Sequence, residues 1–384
     1  MLAAKSQATW PVWDLLGSRF MKIADVRMAS SVLPKTDKEW RFALAARSQS
    51  EGVIVTIHAE DGAVGYGYGQ GAPHYGTTLA AVKANVEDFK TRLVGKDSRN
   101  IAAIMRELEQ SITGNNQSKA AIDCALHDLL ARRLGIPTRD LFGGAGRSEF
   151  RSLRILPIKK PADMAANARR LFDQGVRHFK IKVHGDVEED IACVAAVREE
   201  VGQDGHLTID ANQSYSPKDA IRAITRMAAF NIDLAEQPVP FNDLRGLKLV
   251  TDAVPVIIEA DEAAYSLDQV MLIARERAAD AVSLKISKLG GLRNTLAAAQ
   301  ICQAAGIKYR LGAHSGPRIL AAHAVNLAAA LPDIWYNCEL TEFEGLENDP
   351  WEGLEVIDGV LQLPQGIGCG VLPRSGSLQM AAAS

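Results

Sequence analysis

The sequence predicts an α/β protein: a (β/α)8-type barrel preceded by a small α+β capping domain. From about residue 150 onward, short β-rich runs recur: FRSLRILPI, HFKIKV, HLTIDAN, IDLAEQP, PVIIEADE, AVSLKIS, KYRLGAH and IWYNCELTE. Each of the first seven is followed by a helix-length segment, and eight parallel strand-helix units over roughly 200 residues are what closes a barrel. Polar residues interrupt the runs in step: Lys182, Asp210, Glu236, Asp261, Lys285, His314 and Glu339 are separated by 28, 26, 25, 24, 29 and 25 residues. One βα unit takes that length, so each is expected near the C-terminal end of its strand, where barrel enzymes collect reactive groups. A doubly wound open sheet is the alternative, but no glycine-rich phosphate loop follows the first strand.

The elements follow in chain order. Residues 1–20, MLAAKSQATWPVWDLLGSRF, form an extension with an interrupted apolar stretch, a poor signal peptide and too short to span a membrane. MKIADVRM (21–28) and GVIVTIHAEDGAVGYGYGQ (52–70) alternate apolar and other residues around an EDG turn, as meander strands do. From Thr77 to Gly135 the period becomes helical, with TLAAVKANVEDFKTRLVG and SKAAIDCALHDLLARRLG carrying one apolar face each and ending at glycine. A loop at Gly143–Gly146 separates a capping domain (21–146) from the barrel (147–350), and residues 351–384 are expected to return to the capping domain.

At 384 residues, 47% hydrophobic, 23% charged and net charge −3, the composition is that of an ordinary globular protein. Basic residues form no run, which argues against a nucleic-acid partner, and no stretch of 18 apolar residues suggests a membrane span. The five cysteines are scattered, odd in number and without CxxC spacing, as expected of reduced thiols in a cytoplasmic protein.

HFKIKV raises a physical question, because Lys180 and Lys182 share one face of a strand-like run. An edge strand with a solvated face is the plain explanation. Seven polar interruptions in register argue instead for a site. Asp210 in TIDAN, Glu236 in LAEQP and Asp261 in EADEA fall on three consecutive strands, and carboxylates gathered there repel unless a cation joins them. All-oxygen ligation points to a hard ion, Mg²⁺ by preference with Mn²⁺ able to substitute. Lys285 lies four strands beyond Lys182, across the mouth of an eight-stranded barrel. A small carboxylate substrate held between them has an amine on each face. This suits abstraction of the proton α to the carboxylate, with Lys182 as base, its pKa lowered by neighbouring cations, Lys180 assisting, and Lys285 on the opposite face.

The set KIK, DAN, EQP, ADE and KISKLGG resembles the enolase superfamily, specifically its muconate lactonizing enzyme subgroup, over roughly residues 21–372. The resemblance implies Mg²⁺-stabilised enediolate chemistry, with Asp210, Glu236 and Asp261 as metal ligands and Lys182 and Lys285 as the acid/base pair. It also implies a homo-oligomer, dimer or octamer. Asn212 and Glu262, beside the acids in DAN and ADE, and Glu339 are expected to support the site. His314 is expected to contact substrate, because Lys285 stands where the mandelate racemase subgroup places the aspartate of a His–Asp dyad. By the same analogy LPKTDKEWRFA and GQGAPHYG of the capping domain supply Trp40, Arg41, His74 and Tyr75 to read a distal group. The aspartate pair of the family's dipeptide epimerases is absent from NCELTE, which disfavours a dipeptide. Racemase or epimerase, cycloisomerase and dehydratase outcomes share this machinery, and lysines on both faces tilt toward the first. A metal-independent Schiff-base lyase and a non-catalytic binding barrel are the readings of another class.

Overall fold

Strand alternation in the first segment produces a three-stranded antiparallel sheet. The computed structural model describes residues 22–312 and 315–375, so the 1–20 extension and His314 lie outside the described residues. β1 (Ile23–Pro34) is followed by a small hairpin, β2 (Arg41–Phe42) and β3 (Ala45–Ala46), then by β4 (Gln49–Ala59) and β5 (Val64–Gln70), in the sheet order β1-β4-β5. The EDG turn joins β4 to β5, with Gly62 at φ 86° and the Asp61 carboxylate accepting from Ala63 N at 3.0 Å.

Helices α1 (Leu79–Leu93), α2 (Ile101–Ser111) and α3 (Asn116–Leu134) complete the capping domain. The alternate glycines of VGYGYGQ explain how α3 packs. A Cβ at Gly65 would stand 2.2 Å from the Ala125 carbonyl oxygen, and one at Gly67 2.0 Å from that of Ala121. The helix backbone therefore rests directly on the strand. Sequence periodicity predicts one apolar face for α3, but the helix is buried on every side. Its polar residues act as internal partners: Asp128 accepts from Tyr66 N (2.9 Å) and Cys369 N (2.6 Å), and Asp123 from Leu292 N (2.6 Å). Buried acids of this kind need such donors.

The first β-rich run of the barrel region splits in two. β6 (Glu149–Arg151) leaves for a separate antiparallel sheet, and β7 (Leu153–Leu156) opens the barrel. The chain then runs α4 (Pro161–Asp173), β8 (His178–Lys182), α5 (Val187–Val201), β9 (His206–Asp210), α6 (Pro217–Met227), β10 (Ile232–Glu236), α7 (Leu244–Ala253), β11 (Ile257–Ala260), α8 (Leu267–Glu276), β12 (Ala281–Leu284), α9 (Ile286–Leu289), α10 (Leu292–Ala305), β13 (Lys308–Leu311) and α11 (Arg318–Ala330). Asp186, Ser216, Asp243 and Ser266 start α5 to α8 by accepting from backbone N–H groups of the first turn.

β7 to β13 form one curled sheet of seven parallel strands in sequence order. The expected eighth strand is not a strand. IWYNCELTE runs extended between the two edges of the sheet, with Trp335 N and Glu339 N bonded to the carbonyls of Tyr309 and Leu311 on β13. On the other side, Thr341 Oγ1 donates to the Leu153 carbonyl of β7. These scattered bonds bridge the gap without a continuous ladder, because side chains replace some backbone partners.

β14 (Trp351–Glu352), β15 (Val356–Ile357), β16 (Val360–Gln362) and β17 (Leu372–Pro373) make short pairs at the C-terminal end, β16 pairing with β6. Thr138 N bonds to the Gly368 carbonyl at 2.7 Å, which with the Cys369–Asp128 bond ties this segment to the end of α3. All five cysteines are free and buried. Among the described residues no helix is long and apolar enough to cross a membrane.

Candidate active site

β8 lies between β7 and β9 in the sheet, so KIK does not belong to an edge strand. Lys180 is 1% exposed and Lys182 7%. Register explains their partners, for Lys182 stands beside Asp210 and Asp210 beside Glu236 on neighbouring strands. Lys180 Nζ lies 3.0 Å from Asp210 Oδ2, 2.7 Å from Glu236 Oε2 and 2.9 Å from Glu339 Oε1. Burial works against its charge, but the attraction of Asp210, Glu236 and Glu339 outweighs that and holds the ammonium well above its ordinary pKa. Lys182 donates to Asp210 Oδ2 (2.5 Å) and to Asn212 Oδ1 (2.9 Å).

Across the mouth, Lys285 immediately follows β12 and donates to Asp261 Oδ2 at 2.5 Å. Burial opposes its charge, yet Asp261, Glu236, Glu339 and Glu262 hold it above its usual range. The carboxylates, rather than neighbouring cations, dominate its surroundings.

The in-step spacing of the acids also hides an offset. Asp210, Glu236 and Glu259 are lateral neighbours, and Asp261 comes two residues later, beyond the end of β11. Gln237, at φ 37°, holds it there: its Oε1 accepts from Asp261 N (2.9 Å) and Ala263 N (3.0 Å). Asn212, at φ 39°, links Lys182 to Glu262, whose Oε1 accepts from its Nδ2 at 2.9 Å. Left-handed non-glycine residues at two neighbouring strand ends store backbone strain beside the acids.

Burial, then repulsion by Asp261 and Asp210, pushes the Glu262 carboxyl up to about 7. Burial likewise pushes Glu236 up, with Asp210, Glu339 and Glu259 repelling it against the pull of Lys180. Glu339 is opposed by burial but pulled down to about 2 by Lys180 and Arg310.

The residues fit a hard divalent cation in donor chemistry. Asp210, Glu236 and Asp261 offer only oxygen, and Glu236 Oε1 is buried with no hydrogen-bond partner. They are not drawn to one point. Among the described residues, no three His, Cys, Asp or Glu side chains stand close enough together to hold a metal. The physical reason is visible in the ion pairs, where lysines occupy the carboxylate oxygens: Lys180 and Lys182 share Asp210 Oδ2, and Lys285 and Lys288 divide Asp261.

Three residues in this assembly escape sequence reasoning. Lys288 Nζ donates to Asp261 Oδ1 (2.7 Å) and to the Asp261 and Ser283 carbonyls. Arg310, fully buried on β13, holds Glu259 through Nε (2.9 Å) and Nη2 (2.6 Å), Glu236 through Nη2 (2.8 Å) and Glu339 through Nη1 (2.7 Å). Glu259 is the third. A second acid in EADE and a basic interruption in KYRL were the available signals, and both resemble ordinary strand residues when read alone.

A cavity of about 350 Å³ lies between barrel and cap, and Lys180, Lys182, Lys285, Asn212 and Glu339 reach it from below. Trp40, His74 and Tyr75 line it from the capping domain. Tyr75 Oη donates to Asp261 Oδ2 at 3.2 Å. His74 packs against Phe42 and Tyr75, and burial, reinforced by Lys285, pushes it down to about 4. Arg41 differs: it is exposed and faces a neighbouring surface groove instead of this cavity.

A strand-end cluster of lysines and acids under an α+β cap defines a class, the capped barrel enzymes. The "Mandelate racemase / muconate lactonizing enzyme, N-terminal domain" family matches residues 25–143, and "Enolase C-terminal domain-like" matches residues 163–376. The hydrophobic dipeptide epimerase of Enterococcus faecalis is 34% identical over 355 residues, covering 91% of this chain and 99% of that protein. A chloromuconate cycloisomerase of Cupriavidus necator is 34% identical over 336 residues, covering 83% and 88%. Among solved structures, the Pseudomonas fluorescens muconate lactonizing enzyme complexed with muconolactone superposes with TM-score 0.90 at 29% identity, covering 94% of this chain and 99% of that one. The chain belongs to the muconate lactonizing enzyme subgroup of the enolase superfamily, and it is an isomerase.

Proposed function

We propose that this isomerase moves the proton on the carbon α to the carboxylate of a small acid, and that it works as a racemase or epimerase. The observation that carries this reading is the pair of lysines, Lys182 and Lys285, that reach one cavity from β8 and from the end of β12. One, as its neutral amine, takes the proton from one face of the α-carbon and becomes an ammonium, and the other, already an ammonium, gives its own proton to the opposite face. Lys180, held by three carboxylates, is fixed as a permanent cation beside them and helps to seat the substrate carboxylate. Asp210, Glu236 and Asp261 would hold Mg²⁺, or Mn²⁺ in its place. When bound, that ion supplies the positive charge that stabilises the second negative charge of the deprotonated acid. Gln237 and Lys288 keep Asp261 oriented, and Tyr75 helps to roof the site and exclude water.

Cycloisomerisation is the second reading, favoured by relatives named chloromuconate cycloisomerase and built on the same lysine pair. Small acids of the N-acylamino, proline-type and muconate-like classes are the substrates to try, with sugar acids as the test of dehydration. The relatives also include named dipeptide epimerases, and the residues of NCELTE argue against that substrate here.

The test is solvent exchange. The protein with Mg²⁺ is incubated with these acids in heavy water, and α-deuterium is read by mass spectrometry. Metal-dependent uptake that vanishes with EDTA and falls in Lys182→Ala and in Lys285→Ala is the expected result. Chirality and product analysis then separate epimerase from cycloisomerase. Exchange that persists in EDTA or in both variants defeats the proposal.

A further inference from the structure

We propose that Arg310 is a positioning residue for the metal site: by holding Glu236 through Oε2 it leaves Oε1 alone to meet the ion, and so favours Mg²⁺ or Mn²⁺ over the larger Ca²⁺. This rests on the assignment of Asp210, Glu236 and Asp261 as the metal ligands. Arg310 stands on β13 beside Ser283 of β12 and is fully buried. Its Nε and Nη2 clamp Glu259 at 2.9 and 2.6 Å, and Nη1 donates to the Asn337 carbonyl at 3.2 Å. Anchored at those two points, the guanidinium turns Nη2 to Glu236 Oε2 at 2.8 Å and places Nη1 2.7 Å from Glu339 Oε1. Arginine is always charged, and its planar fork fixes direction as well as charge.

Glu236 shows the consequence. Its Oε2 takes both Arg310 and Lys180 Nζ (2.7 Å), while Oε1 is buried with no hydrogen-bond partner. The other two acids differ. Asp210 Oδ1 accepts from Asn212 N at 2.9 Å and Oδ2 from Lys182 at 2.5 Å. Asp261 Oδ1 accepts from Lys288 at 2.7 Å and Oδ2 from Lys285 at 2.5 Å. Among the described residues, Glu236 Oε1 is therefore the one oxygen of the three carboxylates left without a partner. A buried oxygen in that state is costly, and a cation bound there removes the cost. Ca²⁺ readily takes both oxygens of a carboxylate and about six to eight oxygens in all, whereas Mg²⁺ keeps a strict octahedron built from few carboxylates and water. An ion drawing on Oε2 as well would have to displace Arg310 and Lys180 from it.

A purely structural role is the competing explanation, since Arg310 also joins β13 to β11 and to the extended segment at Asn337. Removing the arginine alone leaves Glu259 buried and unpaired, and a loss of folding would then obscure the result. Glu259→Met/Arg310→Met removes the pair together, keeps the net charge and fills the space with apolar side chains, an exchange that buried ion pairs often tolerate. A lost staple changes stability or weakens every ion alike. A lost positioning residue changes the ratio between ions.

The experiment is calorimetric titration of Mg²⁺, Mn²⁺ and Ca²⁺ into the metal-free full chain, the double variant and Glu236→Gln, without substrate. The unaltered chain is expected to bind Mg²⁺ and Mn²⁺ more tightly than Ca²⁺. The double variant is expected to lower the Mg²⁺-to-Ca²⁺ affinity ratio by about tenfold or more, the scale on which outer partners tune metal sites, while its unfolding followed by circular dichroism stays cooperative. A ratio that does not move, or no preference for Mg²⁺ in the unaltered chain, overturns the inference and leaves the ligand assignment standing. Should the double variant fail to fold, Arg310→Lys keeps the charge but cannot span Glu259, Glu236 and Glu339 at once. It is expected to shift the ratio in the same direction, and an unchanged ratio there overturns the inference equally. Glu236→Gln tests the reading underneath and should weaken all three ions. Undiminished binding in that variant removes Glu236 as a ligand, and the role of Arg310 with it.

Discussion

The floor and the roof of the cavity treat charge in opposite ways. On the barrel floor Lys180, Lys182, Lys285, Lys288 and Arg310 are all held by carboxylates. On the roof Lys35 and Arg47 face the same space without an ion pair among the described residues, and Trp40 and Ser315 serve Lys35 instead. The cations of the floor are paired with acids of the same floor. Those of the roof have no such pairing among the described residues, and the roof is where selectivity is expected to reside.

Breaking the floor is expected to have the largest effect. Arg310→Met leaves Glu259 buried and unpaired, and removing one member of a buried ion pair costs about 3–5 kcal/mol. The urea midpoint should fall accordingly, and an unchanged midpoint would show that the network carries no stability. Next come Lys182→Ala and Lys285→Ala, each expected to lower α-proton exchange by about 10²–10⁴, with the folded state preserved by circular dichroism. The two variants should differ in which enantiomer still exchanges, which sharpens the assignment of faces.

Metal binding to the floor should register as stability. At a hundredfold excess over its dissociation constant, Mg²⁺ adds about 2.7 kcal/mol, visible as a rise in Tm that EDTA reverses. Glu236→Gln should shrink that rise, and an undiminished rise would place the ion elsewhere.

A smaller effect is expected from acid. At the opposite end of the barrel the rings of His178 and His206 stack 4.4 Å apart. Burial, His206 and Arg151 together push His178 down to about 4. An unfolded histidine titrates near about 6.5, so between pH 6.5 and 4 the unfolded chain binds the extra proton and stability falls as pH falls. His178→Asn should flatten that part of the urea-midpoint profile against pH; an unchanged slope would assign the acid loss to other groups. The smallest effect belongs to the roof. Arg47→Ala should alter unfolding stability by no more than about 0.5 kcal/mol, in contrast with Arg310→Met, and a large loss would mean that the roof is structural after all.

Several features were readable in advance because they are periodic or local. Alternation in GVIVTIHAEDGAVGYGYGQ produced the hairpin of β4 and β5, and repeated strand-helix runs produced the parallel sheet. The helical period of SKAAIDCALHDLLARRLG found α3 but missed its environment, because a helix clamped between the glycine strip of β5 and the chain near Leu292 has no solvent side. IWYNCELTE has the composition of a strand, yet its neighbours across the gap satisfy it with side chains as well as backbone.

By itself the sequence determined the order of elements, the class of chemistry and the spacing of Lys182, Asp210, Glu236, Asp261 and Lys285, since a charged residue recurring once per βα unit is a one-dimensional signal. Only the tertiary structure decided how those charges are shared. Arg310 reaches Glu259 across 51 residues, Lys180 reaches Glu339 across 159, and Lys35 reaches Ser315 across 280. Such pairings depend on which strand ends and loops meet at one mouth. That meeting is set by the closure of the sheet and the seating of the cap, and no local pattern encodes it.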